Sequence, residues 1–342
     1  MPRLLKYAFK GSICFSSLLF SCSEDFFFLV RTYYLSSVFL RMSGLNVSII
    51  FFFSVVTLCE FARRFFKRIF PSKVYFCLAG ELASSFQICA CYLELKMLRE
   101  IGPWGGGFGP DVSLTLLFII FLAHGVSLDG TAANPIASLQ EFLALDCSFV
   151  GSIVKILAQF LGMEAACVFT KKYWSKEFTH FHIIQNLMVQ DCSSSLNTSI
   201  SQGIFVEAMG SFLFQLIILK LHTCSPMYRV PIVALSITAL TYTAAPVTGA
   251  FFNPALASAM TFSCSGNSLL EYMQVYWLAP ISGMLLALFV YQGNIPRFFQ
   301  TNLLYSQKKK YRIFKGKVTS NSVVEERQTK AEKKNSSSGL IN

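Results

Sequence analysis

Apolar residues fill the chain in runs close to the ~20 residues that cross a bilayer core, and short polar or glycine-rich pieces separate the runs. "GLNVSIIFFFSVVTLCEFA" (44–62) is about one bilayer long and ends against the basic cluster "RRFFKR" (63–68), whose charge places that end on the cytosolic side. Further spans are expected at 74–95, 111–128, 152–169, 203–221, 230–246 and 273–292, with a polar loop from 170 to about 201 dividing them into two sets of three. Residues 1–41 read as a leader or an upstream extension: Arg3, Lys6 and Lys10 precede "GSICFSSLLFSC" in the manner of a signal peptide, and the next apolar piece, "FFFLVRTYYLSSVFL", carries Arg31. Residues 42–70 form a hydrophobic helix with its basic flank, 71–305 a membrane domain, and 306–342 a basic Ser/Lys-rich tail expected to be disordered.

Two spans do not simply end. The second runs into "GTAANPIAS" (130–138) and the fifth into "GAFFNPALAS" (249–258), with equal spacing from Gly to Asn. The apolar stretch after each is too brief to cross a membrane, and upstream of each lies a carboxylate inside a span, Glu81 in "GELAS" and Glu207 in "VEAMG". Asn is a strong N-cap, and Pro suits the first helical position because the N–H it lacks has no helical partner there. Asn134-Pro135-Ile136 and Asn253-Pro254-Ala255 therefore each start a half-helix.

An odd number of spans per repeat inverts the second copy, so the two half-helices enter from opposite faces and meet near mid-depth. Their N-termini concentrate partial positive charge, about half an elementary charge each, which disfavours cations. Irregular backbone at that depth requires protein packing or a watery cavity, into which the Asn134 and Asn253 amides can donate. A lone Asn-Pro is ordinarily a kink; two matched copies point to a narrow pore for neutral, hydrogen-bonding solutes.

Composition agrees. The chain is 54% hydrophobic and 14% charged, against roughly 25% charged in a soluble domain. Of its net charge of +11, much sits in RRFFKR and in "KKKYRIFKGK" (308–317), a membrane-surface pattern without the polar module that nucleic-acid binding needs. The 11 cysteines show no C-x-x-C pair, so neither a zinc site nor a disulfide framework is signalled, and no cofactor is expected.

These residues resemble the aquaporin (major intrinsic protein) family, in its unorthodox intracellular branch. The marks are "SGLNVSIIFFF", "GPW" at 102–104, "LTLLFIIFLAHGVSLDG", "NPIASLQEFL", "FFNPALA", "LLEYMQVYWLAP" and "NLLYSQKKKYR", covering roughly 42 to 315. The resemblance implies an all-α membrane protein: an aquaporin-like six-transmembrane inverted repeat with two re-entrant half-helices, here with an extra N-terminal hydrophobic helix. It implies that Asn134 and Asn253 donate to a single-file solute and that Glu81 and Glu207 hold the re-entrant backbones. It further implies a homotetramer in lipid and an intracellular membrane such as the endoplasmic reticulum.

Departures from the family pattern bear on selectivity. Ile136 stands where Ala is usual and either crowds the turn or pushes into the pore; Leu256 stands where Arg is usual. The other outer-filter positions, counted from each Asn, are Leu114, Thr241 and Ala250, so the filter is uncharged and closer to glycerol- or peroxide-tolerant members than to water-only ones. Cys264, nine residues beyond Ala255, resembles the branch's downstream cysteine and reads as an apolar half-helix residue with a packing or assembly role.

His124 is expected to be a core histidine with a backbone partner, and His180 and His182 lack the further ligands a zinc site needs. Asn197-Thr198-Ser199 faces the non-cytosolic side and is a glycosylation acceptor sequence. No enzyme site is evident. A passive channel is the main reading; a non-conducting structural protein that kept this fold, and a coupled transporter, remain the rivals.

Overall fold

The structure, a computed structural model, describes residues 22–69, 73–101, 108–127, 130–188, 193–262, 264–266 and 268–298. The tail at 306–342, the first 21 residues of the expected leader and most of the glycine-rich connector after Ile101 lie outside them. The regular elements among the described residues are helices: α1 (Cys22–Ile69), α2 (Lys73–Ile101), α3 (Pro110–Ser127), α4 (Pro135–Leu143), α5 (Phe149–Trp174), α6 (His180–Met188), α7 (Ile200–Leu221), α8 (Pro226–Thr248), α9 (Pro254–Ala257), α10 (Leu269–Met273) and α11 (Ala279–Gln292). A wide π turn, Ser258–Phe262, extends α9, and another, Gln274–Leu278, joins α10 to α11.

Six stretches are long and apolar enough to cross a membrane: Gly44–Ile69, Pro110–Ser127, Phe149–Trp174, Ile200–Leu221, Pro226–Thr248 and Leu269–Gln292. The chain is an integral, multi-pass membrane protein. Its surface and interior reverse the soluble pattern: Ile119, Leu157, Leu161, Phe205 and Leu235 are exposed, whereas Glu81, Ser84, Gln87, Glu94, Gln159 and Glu207 are buried. An apolar exterior of this extent needs lipid.

α2, which covers the span expected at 74–95, is the packing centre of the first half, lying against α1, α3 and α5. In the second half α7 plays that part, against α8 and α11. Both pairings need a glycine. A Cβ on Gly162 of α5 would sit 2.5 Å from the Leu82 carbonyl oxygen, and one on Gly283 of α11 would sit 2.1 Å from the Ala208 carbonyl oxygen. Leu82 follows Glu81 and Ala208 follows Glu207, so each buried carboxylate is one residue from a close backbone crossing of the small-residue type common in membranes.

The extra helix is longer than the expected 44–62. α1 runs unbroken from Cys22, so the boundary expected at Met42 falls inside a helix. One stripe, Ser48, Phe51, Phe52, Val55, Cys59 and Arg63, is buried at helical spacing. Arg63, expected on the membrane surface with its cluster, is 4% exposed: its guanidinium donates to Glu60 (3.3 Å), Ser84 Oγ (3.3 Å) and Gln87 Oε1 (2.7 Å). Nearer the other end, Ser48 donates to Glu94 Oε1 at 2.6 Å; Trp174 Nε1 donates to Glu94 Oε2 at 2.7 Å, and His182 Nε2 lies 3.3 Å from Glu94 Oε1. The expected polar loop at 170–201 thus contains a short helix, α6, whose His182 belongs to this buried cluster. His124 is buried against Phe121, and its Nδ1 finds no hydrogen-bond partner among the described residues, contrary to the expected backbone contact.

Candidate functional site

Each Asn-Pro builds the predicted cap. Asn134 and Asn253 share an extended backbone (φ −147°) and their Oδ1 atoms accept the N–H two residues on, from Ile136 at 2.9 Å and from Ala255 at 3.1 Å. Pro occupies the first helical position of both half-helices. The approach is matched too: Gly130 and Gly249 both have φ +86°, and the residues just before each Asn, Ala133 and Phe252, have φ +50° and +49°. A left-handed conformation in a non-glycine residue costs on the order of 1–3 kcal/mol and persists only when its surroundings impose it.

The two buried carboxylates supply that constraint. Glu81 accepts from the N–H groups of Ala132 (3.0 Å) and Ala133 (2.9 Å) and from Gln159 Nε2 (2.9 Å). Glu207 accepts from Thr248 Oγ1 (2.6 Å) and from the N–H groups of Phe251 (3.3 Å) and Phe252 (2.9 Å). Each carboxylate therefore receives three donors, one of them the N–H of the left-handed residue. Both side chains are fully enclosed, at 0% exposure, with backbone N–H groups of the two turns as two of the three donors to each.

The half-helix starts meet. Asn134 Nδ2 donates to the Phe252 carbonyl at 3.1 Å, and Asn253 Nδ2 donates to the Ala133 carbonyl at 2.9 Å. This reciprocal pair joins residues 118 and 120 positions apart, and it sets the two N-termini face to face, as inverted copies require. Each amide has two N–H groups, so each keeps one beyond this bond.

The other predicted residues divide. Ile136 is 1% exposed and packs with Leu143, Met284 and Leu288 between α4 and α11, which decides between the two expectations for it: its side chain fills a protein contact. Leu256 is buried in the main core with Phe251 and Tyr276. Leu114 and Thr241 line one cavity of about 360 Å³ between α2, α3 and α8, whereas Ala250 and Leu256 are not among its walls. Cys264 is disulfide-bonded, which corrects both the expectation that no disulfide is signalled and the reading of this residue as an apolar packing group. Its neighbour Ser265 forms a parallel bridge with Ser193, and Ser195 N–H donates to Thr261 Oγ1 at 3.0 Å, so the inter-repeat loop lies along the end of the second half-helix. Asn197 is exposed, and its amide donates to the Pro246 carbonyl at 3.2 Å.

Several contributors escaped the sequence reading. Arg297 donates through Nε and Nη2 to the Phe142 carbonyl (3.2 and 3.0 Å), and its own N–H donates to Leu143 O at 3.1 Å, satisfying the carbonyl end of α4 with a cation where the helix dipole favours one. Tyr92 Oη donates to Gly249 O (3.0 Å) and Tyr276 Oη to Thr248 O (2.9 Å), fixing the entry to the second motif. The pairs Gly162-Met163 and Gly283-Met284 were visible signals of the repeated crossing; for Arg297 and Tyr92 the sequence carries none.

Residues 107–291 match the family model described as Major intrinsic protein. The chain is similar to mouse aquaporin-12, 49% identical over 82% of this chain and 97% of that protein, and to rat aquaporin-11, 32% identical over 67% and 82% respectively. The chain belongs to the major intrinsic protein, or aquaporin, family. The X-ray structure of the aquaglyceroporin from Plasmodium falciparum has the same fold, with a TM-score of 0.50 at 17% identity, covering 63% of this chain and 94% of that one. Aquaporin membership supports a channel role and a helical, multi-pass architecture.

Proposed function

We propose that the two half-helix starts form the waist of a passive pore that conducts water and, through an uncharged outer filter, small neutral solutes such as glycerol and hydrogen peroxide. The observation that carries this reading is the reciprocal pair of Asn-to-carbonyl bonds. It holds two amide donors and two helix N-termini at one depth, where the free N–H of each Asn reorients a passing solute and the facing dipoles repel cations. Leu114, Thr241, Ala250 and Leu256 give the outer constriction one hydroxyl and no charge, which favours solutes with an apolar skeleton over water alone.

The pore works as a homotetramer with one passage per subunit, in an intracellular membrane such as the endoplasmic reticulum, with α4 entering from the cytosol. The disulfide at Cys264 is in keeping with an oxidising, lumenal position for the far end of the second half-helix. One observation favours a second reading, a non-conducting structural protein: Ala250 and Leu256 are 4% and 5% exposed and lie outside the walls of the cavity that Leu114 and Thr241 line.

Stopped-flow light scattering on proteoliposomes of the purified protein separates the readings. A channel accelerates osmotic shrinkage with water, and with glycerol or peroxide as permeant it gives flux that no ion gradient alters. Shrinkage equal to that of empty liposomes for every solute would establish the structural reading, and dependence on an imposed ion gradient would establish a transporter.

A further inference from the structure

The cavity containing Leu114 and Thr241 carries charge that the filter positions lack. Its α2 wall includes Tyr92, Lys96, Arg99 and Glu100, from the last turns of that helix. Lys96 lies 3.8 Å from Glu100 Oε1, one turn away, so these two largely cancel. No ion pair is recorded for Arg99 among the described residues, and its side chain is half-buried in the wall. Its guanidinium lies close to the Tyr92 hydroxyl. That hydroxyl in turn donates to the carbonyl of Gly249, the residue before the filter position Ala250.

An uncompensated cation in the wall of the cavity that Leu114 and Thr241 line has a long reach. Low-dielectric walls focus its field along the opening, and a unit charge at an effective dielectric of ~20 changes the energy of a monovalent ion roughly 10 Å away enough for about a tenfold change in partition. Its planar donors are also suited to a solute that arrives presenting hydroxyl or peroxide oxygen.

We infer that Arg99, delivered from α2 into the outer cavity, is the charge-selecting residue of this pore, rejecting cations and hydronium in place of any charge on the second half-helix. The inference rests on the channel reading above. Arginines at helix ends beside water are commonplace, so the discriminating property is ion selectivity, which a merely structural arginine does not set.

The test is the ratio of cation to water permeability in proteoliposomes of the full chain, with proton or potassium flux read by an entrapped dye under an imposed potential. Arg99→Ala is expected to raise the ratio about tenfold, Arg99→Glu to raise it further, and Arg99→Lys to keep it within about twofold of the parent. In Arg99→Cys, a positively charged methanethiosulfonate added from the cavity side should lower the ratio again and a negatively charged one should not, with the same reagents on the parent protein as control; this comparison is made within one folded variant. A parent that conducts water while Arg99→Ala and Arg99→Glu leave the ratio unchanged, or reagents of opposite charge acting alike on Arg99→Cys, overturns the assignment and spares the channel. A parent that conducts nothing overturns the channel reading and this inference with it.

Discussion

Ile136→Ala separates a packing role from a pore role at the one bulky departure in the first motif. The side chain is 1% exposed and fills the contact between α4 and α11 formed with Leu143, Met284 and Leu288. Truncating Ile to Ala in a closed core costs roughly 2–5 kcal/mol, part lost transfer energy and part the void left behind. Inside a membrane protein the transfer part shrinks, because lipid solvates the methyl groups almost as well as protein does, and the lost dispersion contacts remain. The lower end, about 2 kcal/mol, is therefore expected. Thermal unfolding in detergent should show a reduced midpoint, while water permeability per inserted protein stays within error of the parent. Raised permeability with an unchanged midpoint would refute the reasoning, since it would place the side chain in the path of the solute.

Other substitutions probe the supports. Glu207→Ala leaves Thr248 Oγ1 and the N–H groups of Phe251 and Phe252 without their buried acceptor; at about 1–3 kcal/mol for each stranded group, the variant should fail to give a monodisperse, folded product in detergent, and normal yield and midpoint would count against the backbone-holding role. Gly283→Ala places a Cβ 2.1 Å from the Ala208 carbonyl oxygen, so α7 and α11 must separate, and a loss of at least about 1–3 kcal/mol should appear as a lower unfolding midpoint; a midpoint unaffected by the methyl group would contradict the close crossing. Arg63→Ala removes the donor to Gln87 Oε1 and Ser84 Oγ and should destabilise by about 1–3 kcal/mol, with limited proteolysis cutting more readily around α1; a protease pattern like the parent's would return Arg63 to the surface.

The half-helices were legible because their cause is local. Asn as cap, Pro at the first helical position and a glycine ahead to turn the chain are chemistry written within ten residues, and repetition at a matched spacing raised the signal above that of an ordinary kink. Glu81 and Glu207 were legible because a carboxylate inside an apolar run must have partners. The same logic was available for Glu94, in the same span as Glu81, but its partners Ser48, Trp174 and His182 come from three other elements and no spacing announces them. Arg63 was misplaced because a basic cluster after a span ordinarily faces water, and only packing on α2 shows that one of its members turns inward. Ile136 left two directions open, since a side chain at a turn has no periodicity to read. Cys264 looked apolar because a single cysteine in an apolar stretch carries no mark in the sequence of the disulfide it makes.

The temperature dependence of water permeability tests the central claim most directly. Two facing half-helices around a continuous wet passage predict, for the purified chain in proteoliposomes, an activation energy close to that of water diffusing in bulk. It should stay low when Ile136 is replaced by Ala and be lost when Asn134 and Asn253 are both replaced by Leu. An activation energy equal to that of the bare lipid bilayer for the parent protein would contradict the account.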